Sequence, residues 1–158
     1  MHKRLTQMLS GEKRRSHEQV GVLYLDIDRF KQINDGYGHD VGDALLRGFA
    51  ERLRGVVRSE DTVARIGGDE FVILLPGMQA AQDAEVVAGK VLAALERPID
   101  CLGAALVVGS SIGIAHAPAH GSEPEALLKC ADTAMYAAKQ AGRNTCRVFA
   151  AAMAEAPA

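Results

Sequence analysis

Apolar and polar residues alternate along the chain in two periods, which predict a succession of strands and helices. A nearly continuous apolar run over residues 20–27 predicts a central strand that is buried on both faces. Apolar residues at helical spacing predict a helix over residues 41–57, with Asp40 as its N-cap. The other predicted elements are, in chain order, a helix over residues 1–15, a short helical turn over 28–35 that Gly36 and Gly38 break, strands over 62–66 and 71–75, a helix over 79–95, a strand over 104–115, a helix over 123–141 with Gly142 as its C-cap, a strand over 145–149 and a frayed tail over 150–158.

This order of elements predicts the fold class. A strand, a helix, two hairpin strands and then alternating helices and strands favour an α/β sandwich, in which helices cover one mixed sheet. The chain has 158 residues and shows neither an internal repeat nor a linker. We therefore expect a single domain over residues 1–158.

Composition narrows the classes of function. The formal net charge of -2 excludes the general basic field that holds a nucleic-acid backbone, so we expect no nucleic-acid partner. The three cysteines are odd in number and far apart, which argues against a disulfide framework or a zinc site. No signal peptide opens the chain and no apolar stretch is long enough to span a bilayer. These features predict a cytoplasmic domain, whose parent protein could still be membrane-anchored.

Four acidic residues follow or join predicted strands. Asp26 and Asp28 end the buried central strand, where strand alternation sends both to one side, and Asp69 and Glu70 lie at the tip of the predicted hairpin. If the hairpin lies beside the central strand, these carboxylates meet at one sheet edge, and such oxygen ligands suit Mg²⁺ or Mn²⁺. The alternative is structural: Asp28 pairs with a surface cation such as Arg29, and the hairpin acids only solvate a turn.

Glycines and cations extend this pattern. Gly67 and Gly68 precede the hairpin acids and would let the backbone approach a phosphate closely. Lys139 and Arg143 are four residues apart, so they would share a helix face and form a polyphosphate clamp. The alternative for these two cations is that they only complement the dipole at the C-terminus of the helix.

Four blocks of sequence carry the pattern of a known family. Residues 65–71 read R-I-G-G-D-E-F, and residues 26–43 read D-I-D-R-F-K-Q-I-N-D-G-Y-G-H-D-V-G-D. Residues 111–115 (S-I-G-I-A) and 135–144 (M-Y-A-A-K-Q-A-G-R-N) follow in the family's order. Over residues 20–149 the chain therefore resembles a GGDEF domain, the catalytic domain of diguanylate cyclases.

The resemblance implies a palm-like α/β fold, similar to the palms of polymerases and nucleotidyl cyclases. It implies an enzyme that condenses two GTP into cyclic di-GMP and releases two pyrophosphates, with each subunit of a homodimer presenting one GTP. A ribose 3′-hydroxyl would attack an α-phosphorus, while Mg²⁺ or Mn²⁺ activates that hydroxyl and stabilises charge on the phosphoryl oxygens. By position, Asp26, Asp69 and the backbone carbonyl of Ile27 resemble metal ligands. Glu70 resembles the residue that assists deprotonation of the 3′-hydroxyl or holds the metal.

The resemblance also implies the contacts to the substrate. Asn34 and Asp43 resemble the guanine readers, and a carboxylate at position 43 can accept from guanine N1–H and N2–H₂, which adenine lacks. The alternatives are an ion pair between Asp43 and Arg47 and a turn-forming role for Asn34. The residues expected at the phosphates are Gly67, Gly68, Lys139, Arg143 and, through their backbone N–H groups, Phe30 and Lys31.

A second expected site lies just before the hairpin. Residues 58–61 read R-S-E-D and match the family's R-x-x-D inhibitory site, which binds cyclic di-GMP. Arg58 can fork onto a guanine edge or a phosphate, and Asp61 can accept from guanine N–H groups. The resemblance therefore implies product inhibition, whereas the alternative is a surface ion pair that contributes little to stability.

One family block is missing. Members open with D-x-L-T-G-L-x-N-R, which residues 5–9 resemble only loosely. We therefore expect residues 1–19 to be a truncated first helix and the chain to be a fragment of a parent with sensory or receiver domains. The missing block helps to shape the nucleotide pocket, so the activity of the fragment alone stays open. A non-enzymatic receptor for cyclic di-GMP and a palm enzyme with another nucleotide product are the competing functions.

Overall fold

A computed structural model describes residues 1–10 and 18–154 of the chain. The helices in this part are α1 (His2–Leu9), α2 (Phe30–Tyr37), α3 (His39–Val56), α4 (Gln82–Ala94), α5 (Pro124–Gln140) and α6 (Ala151–Ala154). The strands are β1 (Gln19–Ile27), β2 (Thr62–Gly67), β3 (Glu70–Met78), β4 (Ile99–Cys101), β5 (Ala104–Leu106), β6 (Ser110–Ala117) and β7 (Thr145–Val148). None of the helices among these residues is long and apolar enough to cross a membrane.

Five strands form one mixed sheet in the order β2-β3-β1-β6-β7, which confirms the predicted fold class. Strand β1 lies at the centre and pairs antiparallel with both β3 and β6, while β7 pairs parallel with β6. Because β1 has a neighbour on each edge and helices on each face, its apolar run is buried as predicted.

The two faces of the sheet carry separate apolar clusters. On one face Leu23 and Leu25 pack with α3 and α4, where Phe49 and Phe71 place their ring centroids 5.0 Å apart. On the other face Val22 packs with α1 and α5. Strand alternation thus sends successive β1 side chains into different clusters, and the same alternation decides on which face the polar side chains at the end of β1 emerge.

The hairpin prediction is confirmed. Strands β2 and β3 are joined by Gly68 and Asp69, and Gly68 has a φ of 45°, which favours glycine. The Arg65 Nε donates to the Gly68 carbonyl oxygen at 2.8 Å, which holds the tip in place.

The predictions for the segment before α3 are partly wrong. Helix α2 runs through Gly36, and only Gly38, with a φ of 91°, separates it from α3. Gly38 rather than Asp40 is the N-cap of α3, no side chain caps this end, and Asp40 lies in the first turn. A carboxylate in the first turn interacts favourably with the helix dipole. Asp40 therefore marks the start of α3 as predicted, but from a position inside the helix and not as its N-cap.

The predicted strand over residues 104–115 is also wrong, because it is two strands in two sheets. Strand β5 pairs with β4 in a small separate sheet, and β6 belongs to the main sheet. Between them, Gly109 packs against Asn144 and its carbonyl oxygen accepts from Asp28 N–H at 3.0 Å. Residues distant in sequence make these contacts, which end the strand at Gly109. The apolar pattern itself continues past this position.

The two chain ends add little to the sheet. The predicted first helix is found only as α1, and its residues 11–15 lie outside the described residues. In the predicted tail, α6 forms one short turn, and residues 155–158 lie outside the described part.

The packing of α5 on the sheet depends on Gly113 of β6. A β-carbon at this position would lie 1.9 Å from the Ala131 carbonyl oxygen and 2.2 Å from the Met135 nitrogen, both in the backbone of α5. Gly113→Ala must push the helix off the sheet, and we expect it to destabilise the domain by about 3 kcal/mol.

Denaturant unfolding measures this effect, with Gly89→Ala in α4 as the matched control. A β-carbon at Gly89 meets no atom within 4 Å, so we expect this change to be neutral or stabilising by up to about 1 kcal/mol. Equal stabilities of the two variants would contradict the close packing at Gly113.

Candidate active site

Asp26 lies at the end of β1, on the face that α5 covers. Its Oδ2 accepts from Lys139 Nζ of α5 at 2.5 Å, and the residue is 5% exposed. Burial raises the pKa of Asp26, and the charges of Asp69 and Asp28 act in the same direction, while Lys139 opposes them. Burial alone would lower the pKa of Lys139, but the hydrogen bond and charge of Asp26 raise it above its ordinary value.

Glu70 is the register partner of Asp26 on the neighbouring strand β3. Burial raises the pKa of the Glu70 carboxyl, and the charges of Asp132 in α5 and of Asp69 add to this shift. On the same face, burial raises the pKa of Tyr24 to about 12, and the negative charges of Glu70 and Asp132 add to this shift. Glu70 therefore lies in a partly dry, negatively charged environment that favours a cation or a proton.

The hairpin tip lies against the end of β1. The Ile27 N–H donates to the Asp69 carbonyl oxygen at 3.3 Å, so the backbone that bears Asp69 is next to the backbone that follows Asp26. A β-carbon at Gly67 or Gly68 would meet no atom within 4 Å, which leaves this side of the tip open to a ligand. The structure thus brings the predicted acids and glycines to one edge of the sheet.

Metal binding at this edge needs oxygens from outside the acid side chains. No group of three or more Asp, Glu, His or Cys side chains in the described part is arranged to hold a metal ion. However, Asp26 Oδ1 is buried and has no hydrogen-bond partner there. A buried unpartnered carboxylate oxygen fits a hard cation whose remaining ligands are the second acid, a backbone carbonyl and phosphate oxygens.

Asp28 forms no ion pair with any of the described residues, whereas the structural alternative required one with a surface cation. Its Oδ1 accepts from Ser111 Oγ at 2.7 Å, and its Oδ2 accepts from Asn144 N–H at 2.8 Å. Asp28 therefore connects the end of β1 to β6 and to the turn after α5.

The first turn of α2 has free N–H groups. Arg29, at the N-cap position, has a φ of 60°, and no side chain caps this end of the helix. The N–H groups of Phe30 and Lys31 therefore have no partner within the helix, which is the arrangement that binds phosphates.

The predicted guanine readers lie together at the junction of α2 and α3. Asn34 Oδ1 is buried without a hydrogen-bond partner in the described residues, and it packs directly against Gly42. Asp43 follows Gly42, is exposed, and forms no ion pair with Arg47. Neither structural alternative for these two residues is thus observed.

The prediction that Lys139 and Arg143 share a helix face is wrong, because α5 ends before Arg143. The Gly142 N–H donates to the Lys139 carbonyl at 3.3 Å and the Arg143 N–H to the Ala138 carbonyl at 3.1 Å. This pair of bonds is a Schellman motif, in which Ala141 is the C-cap and Gly142 follows it with a φ of 111°. Arg143 instead lines a cleft of about 510 Å³ beside the start of α2, to which none of the acids 26, 69 and 70 contributes.

The R-x-x-D segment folds back on itself. The Arg58 N–H donates to Asp61 Oδ2 at 2.8 Å, and its guanidinium lies 3.2 Å from Glu60 Oε1 and 3.6 Å from Asp61 Oδ1. The Asp61 side chain is only 1% exposed, and its Oδ1 has no hydrogen-bond partner among the described residues. The Arg58 side chain is 59% exposed, so a ligand can reach it.

Tyr24 and Asp132 are the site residues that sequence reasoning missed. Both had a signal: Tyr24 precedes Asp26 by two residues on a strand, and Asp132 precedes Lys139 by seven on a helix, so each shares a face with a predicted residue. Both residues stand among mostly apolar residues in the sequence, so the pattern assigns their positions to the core and not to a site.

Comparison with known proteins identifies the family. The family model described as "Diguanylate cyclase, GGDEF domain" matches residues 1–145. The chain belongs to the GGDEF family. The predicted family is therefore confirmed, and the predicted palm-like cyclase fold is confirmed by the solved GGDEF domains that resemble this one.

A named diguanylate cyclase contains a domain similar to this chain. Diguanylate cyclase TpbB of Pseudomonas aeruginosa is 45% identical over 132 residues, which are 83% of this chain and 30% of TpbB. The solved GGDEF domain of TpbB matches with a TM-score of 0.93 at 40% identity, covering 98% of this chain and 90% of that one.

Two further relatives bear on activity. The GGDEF domain of DgcB from Caulobacter crescentus, solved in complex with c-di-GMP, matches with a TM-score of 0.75 at 30% identity and covers 95% of this chain and 87% of that one. Cyclic di-GMP phosphodiesterase PdeR of Escherichia coli is 41% identical over 134 residues, 84% of this chain and 20% of PdeR. The chain thus spans less than a third of the length of TpbB and of PdeR.

The contact between Asn34 and Gly42 gives a test of the predicted guanine site. A β-carbon at Gly42 would lie 1.8 Å from Asn34 Oδ1, so Gly42→Ala must displace the amide. If Asn34 reads guanine, we expect the affinity for GTP to fall about tenfold, as for the loss of one buried hydrogen bond.

Calorimetric titration with GTP measures this affinity, and Gly55→Ala is the matched control on the same helix. A β-carbon at Gly55 meets no atom within 4 Å, so this variant should bind GTP as the unaltered chain does. Unchanged GTP affinity in Gly42→Ala would remove Asn34 from the guanine site.

Proposed function

We propose that this GGDEF domain condenses two GTP into cyclic di-GMP and two pyrophosphates. The observation that carries the proposal is the pairing of Asp26 with Glu70 on neighbouring strands, with Asp69 beside them at the hairpin tip. Three acids at one sheet edge, one of them buried with a free oxygen, cost stability. A cation and a phosphate chain are the partners that would repay this cost.

The metal would be Mg²⁺ or Mn²⁺, held by Asp26, Asp69, the Ile27 carbonyl and Glu70. When bound, such an ion activates the attacking hydroxyl and stabilises charge on the phosphoryl oxygens. Lys139 already donates to Asp26 Oδ2, so Oδ1 is the oxygen of this carboxylate that would be available to the metal ion. Lys139 could then remain as a bridge between Asp26 and a phosphate oxygen.

The chain's own groups account for substrate binding. The N–H groups of Phe30 and Lys31 would donate to the terminal phosphates, and Gly67 and Gly68 would let the hairpin backbone lie against them. Lys139 and Arg143 would reach the same phosphates from the end of α5 and from the turn that follows it.

The guanine would be read at the other end of the site. Asn34 Oδ1 lacks a donor and Asp43 is exposed, so both can accept from guanine N–H groups. Adenine presents no such pair of donors, which is why GTP rather than ATP is the proposed substrate.

Glu70 would accept the proton of the 3′-hydroxyl or help to hold the metal. Its raised pKa makes it a better proton acceptor than an exposed carboxylate. Because one domain offers one nucleotide site, two copies must face each other, and the proposed catalyst is a homodimer.

GTP turnover with Mn²⁺, followed by chromatography of the product, tests the activity. We expect cyclic di-GMP from GTP and no product from ATP. Asp26→Asn and Glu70→Gln should each lower kcat at least about a hundredfold, or about 2.7 kcal/mol.

Glu51→Gln, which changes an exposed acid of α3 remote from the site, is the control and should leave turnover unchanged. Cyclic di-GMP formation that persists in both acid variants would rule out the proposed catalytic site. No turnover by the unaltered chain together with tight binding of cyclic di-GMP would favour the receptor function.

We also propose that cyclic di-GMP binds at Arg58 and Asp61 and inhibits the domain. The exposed side chain of Arg58 and the buried Oδ1 of Asp61, which accepts no hydrogen bond among the described residues, support this role. The complex of the DgcB domain with c-di-GMP is consistent with it. The same site is the one that a non-enzymatic receptor would use.

Calorimetric titration with cyclic di-GMP measures this site directly. We expect Kd in the micromolar range for the unaltered chain and a loss of at least about tenfold in Arg58→Ala, which removes a charge-assisted contact. Identical binding by the two proteins would exclude Arg58 from the site.

A further inference from the structure

Arg143 lies in a turn whose backbone conformation is unusual for its residues. Arg143 has a φ of 64° and Asn144 a φ of 47°, so two successive non-glycine residues adopt the left-handed conformation. Asparagine tolerates this conformation because its short polar side chain can hydrogen-bond locally, whereas arginine has no such compensation. Both residues are exposed, so burial of their side chains does not hold the turn. Contacts from elsewhere in the domain must therefore fix the point at which the Arg143 side chain leaves the backbone.

Asp28 supplies one such contact. Its Oδ2 accepts from Asn144 N–H at 2.8 Å, although the two residues are 116 positions apart. Its Oδ1 accepts from the hydroxyl of Ser111, a fully buried residue of β6, at 2.7 Å. The Asp28 N–H donates to the Gly109 carbonyl oxygen at 3.0 Å. The carboxylate is thus fixed to the sheet on one side and holds the turn on the other.

Gly109 supplies a second contact to the same turn. A β-carbon at Gly109 would lie 2.8 Å from Asn144 Oδ1 and 2.9 Å from Asn144 Cβ. The side chain of Asn144 therefore rests directly on the backbone that leads into β6. Two contacts from distant parts of the chain converge on the residue that follows Arg143.

The guanidinium of Arg143 is left out of these contacts. Asp28 and Arg143 line the same cleft, but both oxygens of Asp28 accept from other donors. Arg143 forms neither an ion pair nor a side-chain hydrogen bond with any residue in the described ranges. An acid that paired with this cation would compete with a phosphate for it. Asp28 binds the backbone of the turn instead and leaves the guanidinium available to an anion.

We infer that Asp28 is a positioning residue for Arg143, because it fixes the turn after α5 so that the guanidinium meets the terminal phosphates of GTP. The inference rests on the proposed function, in which Arg143 binds these phosphates. A side chain that leaves from a fixed point loses less conformational freedom on binding than one on a mobile turn. The segment that carries the proposed metal ligands Asp26 and Ile27 thereby also sets the phosphate clamp through its next residue.

Calorimetric titration of the whole chain with two nucleotides in Mg²⁺ tests the inference. The first is a GTP analogue with a methylene bridge between its α- and β-phosphorus, which cannot be condensed, and the second is GMP, which lacks the terminal phosphates. Arg143→Ala should weaken binding of the analogue about tenfold and Asp28→Ala about fivefold, since each removes or misplaces a charge-assisted contact with phosphate. Neither change should alter the affinity for GMP.

The double variant gives the readout that a merely structural role would not produce. Asp28→Ala combined with Arg143→Ala should bind the analogue no more weakly than Arg143→Ala alone, because Asp28 acts only through Arg143. Independent effects would instead multiply to about fiftyfold.

Two further variants separate the contact from the charge. Asp28→Asn should keep the affinity for the analogue within about twofold, because a carboxamide can accept from Asn144 N–H and donate to Ser111 Oγ. The matched control is Asp100→Ala. The exposed Asp100 accepts from Gly103 N–H at 3.0 Å in the turn between β4 and β5, and it does not line the cleft. This control loses the same kind of contact and the same charge, and it should bind both nucleotides as the unaltered chain does.

Gly109→Ala displaces the same turn without touching a charge. The added β-carbon must push the Asn144 side chain away, so we expect weaker binding of the analogue, unchanged binding of GMP, and no further loss when Arg143→Ala is added. Thermal unfolding without ligand checks that each variant is folded. If Asp28→Ala does not fold, Gly109→Ala and its combination with Arg143→Ala decide the question.

The outcomes separate this inference from the proposed function. Losses that multiply in the double variants, unaltered affinity in Asp28→Ala, or equal losses in Asp28→Asn and Asp28→Ala would overturn the positioning role and leave the proposed function standing. Weaker binding of GMP by Asp28→Ala would do the same, because the damage would then not be confined to the phosphates. Unchanged affinity for the analogue in Arg143→Ala, or no binding by the unaltered chain, would overturn the inference together with the proposed phosphate site.

Discussion

The ion pair between Asp26 and Lys139 joins the two halves of the candidate site. Asp26 ends the central strand, and Lys139 lies in the last turn of the helix that covers it, so the 2.5 Å contact aligns α5 with the sheet edge. A buried ion pair contributes little net stability, since desolvation offsets most of its attraction. Its value here is geometric, because it holds a cation between a carboxylate and the place where a phosphate chain would lie.

Buried polar side-chain atoms that have no hydrogen-bond partner occur at each of the proposed sites. The described residues contain four such side-chain atoms, and three of them belong to Asp26, Asn34 and Asp61. Each such atom costs about 1–3 kcal/mol unless a water or a ligand meets it. The three fall in three different proposed roles, at the metal, at guanine and at the product. The fourth, His116 Nδ1, lies beside the His120 ring, and no ligand role follows for it.

Sequence reasoning predicted those parts of the structure that local chemistry decides. The buried run of β1 and the glycine-acid tip between β2 and β3 have strong period and turn signals, and strand alternation places Asp26 on one face. The same reasoning failed where distant contacts decide. The break at Gly109 depends on its contacts with Asp28 and Asn144, and neither is a neighbour in sequence. Arg143 was placed on a helix face because a period of four fits a helix, but the Schellman motif ends α5 first.

The two proposed sites lie at opposite ends of the same strand, β3. The hairpin tip carries Asp69 and Glu70, while Pro76 and Gly77, near the other end of β3, line a cleft that Arg58 also lines. Between them β3 is fully buried in the sheet, with residues 71–75 at most 1% exposed. A close-packed strand of this kind deforms little, so a ligand at the base of the hairpin has no compliant path to the acids. If the proposed product site inhibits, we therefore expect it to act by fixing how two whole domains face each other, since the proposed reaction needs two domains, rather than by moving Asp69 within one of them.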